Sequence, residues 1–228
     1  MRVKENHDRY ILTEDDNIFS PNFLEFVNGG LERYKDDKSI FAICGYRHFY
    51  SVKYGDNNYY LQNADFSAWG YGTWFDRREE MERIGTNKYF RRHLLNPFVA
   101  CAVLYRGINQ LHSLYAASKP SRGTTKPLNF PDGYVSVYMY LRGMYCVMPV
   151  VSKVRNNGFD GSGLSGYTTS ELEIQHREQQ IDGSDRFVYQ GEDKFISHNR
   201  RVYRVENYGN KLILRSYFSR LRKFLFRQ

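Results

Sequence analysis

Cysteine is scarce in this 228-residue chain, with three in all. Cys44, Cys101 and Cys146 lie far apart among apolar neighbours. Their spacing fits no metal site, and their odd number argues against a disulfide framework. They are expected to be reduced and buried, which points to a cytoplasmic setting. No apolar run is long enough to span a bilayer, and the first residues carry no secretory pattern. Internal repeats and long low-complexity tracts are also missing. Over most of its length the chain lacks an excess of either charge. The formal net charge is +8, and from Arg200 onward nine basic residues face Glu206 alone, so residues 1–199 are formally neutral. A nucleic-acid-binding fold normally carries its basic surface on the body. This placement therefore argues against a nucleic-acid partner.

Aromatic residues, by contrast, are abundant: 20 Tyr and 16 Phe. Such tyrosines either fill a core or line a polar ligand pocket, where the ring packs and the hydroxyl bonds. The length suits a single sizeable domain. Tyr10-Ile11-Leu12 reads as a short buried strand that runs into the acidic turn Glu14-Asp15-Asp16. Ser20-Pro21 is a helix-start signal, and Phe23, Phe26, Val27, Leu31 and Tyr34 follow at helical spacing. Ser39 to Cys44 is the next strand, and residues 47–63 read as a polar surface loop. After Pro97, the apolar spacing from Phe98 to Tyr115 predicts one long helix. Lys119 to Pro131 is a Pro/Gly/Ser/Thr linker. A helix is expected from Asp132 to about Arg142, although Val135-Ser136-Val137 also suits an extended strand. A further strand runs through Met148, followed by a glycine-rich loop from Asn156 to Gly166.

The acidic turn, taken alone, is either a solvated surface turn or a site for a hard cation. Mn²⁺ and Mg²⁺ are held by one or two carboxylates together with substrate phosphates. If the segment stays extended, Glu14 and Asp16 share a face and Asp15 points elsewhere. The stretch from Ile11 to Leu24, with its Leu-Thr-Glu-Asp-Asp core, resembles the metal-binding segment of GT-A-fold glycosyltransferases. Bacterial family-2-like sugar transferases and the N-acetylglucosaminyltransferase type carry a similar Leu-Glu-Asp-Asp element. The resemblance implies that Asp16 binds the metal bridging the donor phosphates. Asp15 and Glu14 would contact the sugar or ribose, or hold the metal's water shell.

Two further segments carry the same resemblance. Phe66-Ser67-Ala68-Trp69-Gly70-Tyr71-Gly72-Thr73-Trp74 is similar to the family's Trp-Gly-Trp-Gly-Thr-Trp element, with Tyr71 in place of the middle Trp. This implies sugar contacts by Trp69, Gly70 and Trp74; the residue-level alternative is a tight turn between core aromatics. Asn156-Asn157-Gly158-Phe159-Asp160-Gly161-Ser162-Gly163 looks like the family's Asn-Ile-Gly-Phe-Asp-Gly-Ser-Gly loop. It implies that Asp160 and nearby backbone amides approach the diphosphate. Relatives often continue with Thr-His, whereas this chain reads Leu164-Ser165-Gly166. They also place a basic Asp at the start of a helix after a flexible loop. Asp132 matches that position as the catalytic base, and it also suits a helix N-cap.

The resemblance covers about residues 8–165. Roughly 90 residues of a nucleotide-binding half would precede the acidic motif in the family. The implied fold is α/β, a GT-A-like (Rossmann-like) mixed sheet flanked by helices, lacking those N-terminal strands. Residues 1–205 would be the catalytic part and residues 206–228 a basic amphipathic helix. In that helix Leu214, Tyr217, Phe218, Leu221, Phe224 and Leu225 share one stripe, to lie on an anionic membrane or to dock on the protein's own body. The implied activity moves a sugar from a nucleotide-diphosphate donor to a saccharide or lipid-linked acceptor, with inversion and Mn²⁺ or Mg²⁺ assistance. The setting would be cell-envelope polysaccharide synthesis, cytoplasmic or peripheral on the inner face of the plasma membrane. A non-catalytic remnant that binds sugar or membrane is the alternative.

Overall fold

Strand β1 (Arg9–Leu12) carries the chain into the acidic turn, and β2 (Asn17–Phe19) carries it out. Helix α1 (Phe23–Arg33) follows, with Phe23, Phe26, Val27 and Leu31 on its buried face as their spacing requires. Then come β3 (Ile40–Cys44), β4 (Tyr59–Gln62) and β5 (Tyr71–Trp74). Four helices follow: α2 (Phe75–Ile84), α3 (Asn87–Leu94), α4 (Pro97–Arg106) and α5 (Ile108–Ser118). Helix α6 (Asp132–Arg142), β6 (Tyr145–Pro149), β7 (Val154–Asn156) and β8 (Phe195–Ile196) complete the elements. The computed structural model describes residues 2–48, 54–63, 65–106, 108–119, 132–158, 174 and 177–196.

The protein is an α/β fold built on a mixed six-stranded sheet in the order β1-β5-β3-β6-β4-β8. Its centre is the parallel pair β3 and β6, and every residue of β3 is buried. That explains the unbroken apolar run Ile-Phe-Ala-Ile-Cys, since a strand covered on both faces has no polar side to show. One face of the sheet carries α1 together with Phe187 and Tyr189; Phe26, Val27, Leu31, Ile43 and Val147 pack there. The other face carries α3, α5 and α6 over Phe41, Cys44 and Tyr60. Tyr34, Tyr46, Tyr59, Tyr60, Tyr71, Tyr134 and Tyr138 are all core residues, so much of the tyrosine excess is packing. Cys44 and Cys146 are buried as expected, but Cys101 is exposed on α4.

Several elements differ from expectation. Strand β1 is an edge strand, and Leu12 keeps 40% of its surface in solvent, so it is only half covered. The polar Tyr-Tyr-Leu-Gln of β4 lies inside the region read as a loop, and it is fully buried between β6 and β8. The segment after Pro97 is helical over Pro97–Arg106 and again over Ile108–Ser118, and residue 107 lies outside the described residues. Of the two readings of residues 135–137, the helix is the one observed.

Arg77 locks α1 and α2 to the sheet. Its guanidinium stacks on the Trp74 ring at 3.3 Å and donates to the carbonyls of Tyr34, Lys35 and Asp37, just past the C-terminus of α1. That end of a helix offers unpaired carbonyls and a partial negative charge, which suit a buried cation. Burial still lowers the Arg77 pKa to about 10. No helix among the described residues is long and apolar enough to cross a membrane.

Candidate active site

The carboxyl ends of β1 and β3 and the amino end of β5 meet at one edge of the sheet, since Leu12 and Cys44 both lie opposite Tyr71. In open α/β sheets, ligands bind outside the carboxyl ends of strands. Here that edge gathers the acidic turn, the aromatic–glycine segment and the start of α6.

The acidic segment is not extended. Asp15 and Asp16 are the central residues of a turn, closed by a hydrogen bond from the Asn17 amide to the Glu14 carbonyl (3.4 Å). The alternation expected of a strand therefore does not apply. The two-stranded ribbon of β2 and β7 puts Asn17 opposite Asn156. Asn156 is 4% exposed, and its amide donates to Asp16 Oδ1 at 3.1 Å and to Asn17 Oδ1 at 3.4 Å. Its carbonyl oxygen accepts from the Gly158 amide at 2.8 Å, and the Asn157 amide donates to the Asp16 carbonyl at 2.9 Å. The first residues of the glycine-rich loop are thus tied to the acidic turn. Gly158 lies so close to the other Asp16 oxygen that a Cβ there would collide with it. Glycine is required by this approach and not by a special φ. Asp160 and the rest of the loop lie outside the described residues.

Asp132 stands at the first position of α6, with its side chain half-buried. Its Oδ2 accepts a hydrogen bond from the Ala68 amide at 3.1 Å, so the carboxylate holds the aromatic–glycine segment and not its own helix. Ser136, one turn further on, strengthens the clamp. It donates to the Asp132 carbonyl at 2.7 Å and accepts from the Phe66 amide at 2.9 Å. Burial pushes Asp132 up to about 6; the Ala68 bond opposes this, and the Glu14 charge adds to it. Glu14 is itself raised, first by burial and then by Asp16 and Asp15. The Glu14 charge thus acts on Asp132, while Asp16 and Asp15 act on Glu14.

Trp69 is half-buried, with its ring edge-on to Tyr46 at 4.7 Å. Gly70 takes φ +67°, and its carbonyl accepts from the Gly45 amide at 2.8 Å, joining the end of β3 to this turn. Trp74 is placed elsewhere. It lies at the far end of β5, opposite Arg9, is 3% exposed and belongs to the core beneath Arg77. The expected sugar contact gives way there to packing, because the strand carries Trp74 away from the sheet edge.

No ion pair is formed by Glu14, Asp15, Asp16 or Asp132 among the described residues. Such a concentration of uncompensated carboxylate suits a cation. No group of three or more His, Cys, Asp or Glu side chains that could cage a metal is present among the described residues. The donor set fits a hard cation held by one carboxylate plus substrate phosphates and water, not an all-protein cage. A separate cavity of about 320 Å³ lies beyond the other end of β7, lined by Lys153, Asp182, Ser184, Arg186 and Phe187. Ser136 and Asn156, which set the positions of Asp132 and Asp16, were not singled out from the sequence. Asn156 stands within the quoted glycine-loop motif, and Ser136 is signalled only by its i+4 relation to Asp132. No protein-family model and no curated protein matches the chain.

Proposed function

We propose that the chain is the catalytic part of a GT-A-type glycosyltransferase. It would move a sugar from a nucleotide-diphosphate donor to a saccharide or lipid-linked acceptor, with inversion. The observation that carries this reading is Asp132: a carboxyl pushed up to about 6 and held by Ala68 of the aromatic–glycine segment beside the acidic turn. A base with a pKa near neutrality combines a substantial ionised fraction with a strong pull on a proton. Asp132 takes the acceptor hydroxyl's proton as the new glycosidic bond forms. Asp16, positioned by the Asn156 amide, would hold Mn²⁺ or Mg²⁺ together with the donor diphosphate. The bound cation would supply charge neutralisation for the departing nucleoside diphosphate. Glu14 and Asp15 would contact the sugar or ribose, or hold the metal's water shell, and the half-buried Trp69 offers a ring to an apolar sugar face.

Calorimetry with UDP and GDP, with and without Mn²⁺, tests this on the wild type and on Asp16→Ala. Metal-dependent binding that disappears in the variant is the expected result. Equal binding by both proteins, or none to either nucleotide, would count against it.

A further inference from the structure

Helix α4 is apolar almost throughout, yet only part of it is covered. Val103 is fully buried, and the helix packs against α3 and α5. On the outer side Phe98, Cys101, Ala102 and Tyr105 are exposed at i, i+3, i+4 and i+7, one continuous stripe. Phe98 is 85% exposed, Tyr105 71%, and Leu95 in the preceding corner 72%. A soluble surface scatters single apolar residues but seldom aligns large ones, so this stripe marks a contact surface.

The charged residues of the adjoining groove have one sign. Lys88, Arg91 and Arg92 are exposed on α3 and, with Leu95 and Phe98, line an open groove of about 690 Å³. From Arg83 through Pro131 the sequence holds eight Lys and Arg, Arg83 included, and no Asp or Glu. The formal neutrality of residues 1–199 therefore conceals a segregation, with this basic tract balanced by acids elsewhere.

We propose that the α3–α4 corner is a docking surface for an anionic phospholipid bilayer. Phosphate headgroups complement Lys88, Arg91 and Arg92, while Leu95, Phe98 and Tyr105 enter the boundary between headgroups and acyl chains. Tyr105 suits that depth, with an apolar ring and a wet hydroxyl. The chain's own basic tail is a poor occupant, since its charge has the same sign. A second copy is also disfavoured, because a two-fold contact on this patch sets the same cations against one another. A nucleic acid would satisfy the cations but leave the apolar stripe unused. The proposal is independent of the sugar-transfer reading, because docking is measured without donor or acceptor.

Cys101 lies within the stripe, and the other two cysteines are buried, so an environment-sensitive fluorophore attached there reports on this face in the full-length chain. The label is expected to shift to the blue with vesicles of phosphatidylcholine plus phosphatidylglycerol, and not with phosphatidylcholine alone. Arg91→Glu/Arg92→Glu should weaken that partitioning by on the order of tenfold or more. Phe98→Ser should weaken it while preserving its dependence on salt. All three side chains are exposed, and unchanged circular dichroism verifies each fold. Vesicles that sediment the protein without shifting the label would place lipid binding elsewhere and overturn the proposal. So would a shift unaffected by the arginine reversals, one produced by protein concentration alone, or one produced by a duplex oligonucleotide and not by the anionic vesicles.

Discussion

The Asp132 carboxylate accepts a hydrogen bond from the Ala68 backbone amide at 3.1 Å, across 64 positions of sequence. This bond ties the start of α6 to the turn that carries Trp69 and Gly70. It also uses one oxygen of a carboxylate that burial has already weakened as an acid. A single amide restores only part of the solvation lost, so the ionised form remains costly. The residue proposed as base is thus also a local liability of the fold.

Asp132→Asn should therefore abolish sugar transfer while raising stability at neutral pH. The asparagine oxygen can still accept from Ala68, and no buried charge remains. The sign follows from linkage: with its folded pKa near 6, above the ordinary 3.8, Asp132 binds more protons when folded between those values. Its contribution to stability is full below about pH 4 and is lost as pH rises toward 6. The variant should gain ~1–3 kcal/mol at pH 7 and nothing at pH 4, read from urea midpoints. Wild-type transfer should rise through about pH 6 to a plateau, and a flat profile would remove Asp132 from the base role.

Asn156→Ala tests the support beneath Asp16. The amide at 3.1 Å fixes one Asp16 oxygen and leaves the other free for a cation. Removing such a partner typically weakens metal affinity about 10–100-fold while leaving the ligand in place. The same range is expected for the Mn²⁺-dependent part of nucleotide binding by calorimetry. Nucleotide binding without metal should be unchanged.

The turns that the structure brings together at the candidate site are easier to read from sequence than the frame around them. Acidic and glycine-rich turns punctuate the sequence strongly, and α1 announced its buried face through Phe23, Phe26, Val27 and Leu31. Helices α2 and α3 went unread because α2 is mostly charged and buries an arginine, Arg77, among its few covered residues. Apolar periodicity cannot register a face whose anchor is a guanidinium. Strand β4 looked like a loop for a related reason: its tyrosines and Gln62 are polar by type but lie between two strands. A motif gives residue types without the direction of the strand that carries them, which is why Trp74 reads as a pocket residue and yet packs in the core.

Gly70→Ala should destabilise the protein by about 2–4 kcal/mol, combining the cost of φ +67° for an L-residue with overpacking. A Cβ there would stand 2.9 Å from both Phe19 and Val154, which leave no room for it. Relief by backbone movement would displace Trp69 and the Gly45–Gly70 bond together. Guanidinium midpoints measure the loss, and near-ultraviolet circular dichroism should report the altered tryptophan environment.

The Lys153–Asp182 pair should respond to mutation in an asymmetric way. The Lys153 side chain is 2% exposed, and its ammonium pairs with Asp182 and lies 4.5 Å from the centre of the Phe187 ring. Burial lowers its pKa, so the charge persists only because Asp182 answers it. Asp182 also accepts from Asn22 at 3.1 Å and from the Ser184 amide at 2.9 Å, and these bonds with Lys153 hold its carboxyl well below the usual range despite burial. Asp182→Asn leaves a buried cation unanswered and should cost about 2–3 kcal/mol, below the range for a fully buried pair because Asp182 is partly exposed. Lys153→Met/Asp182→Asn should recover much of that loss, since an apolar side chain needs no partner in this site. The pH dependence is opposite in sign to that of Asp132: a depressed carboxyl contributes stability above its ordinary pKa near 4 and loses it as pH falls below that value. Urea midpoints at pH 7 and pH 3 for the three proteins test this. The penalty of the single variant should be large at pH 7 and smaller at pH 3, where the wild type has itself begun to lose the pair's contribution.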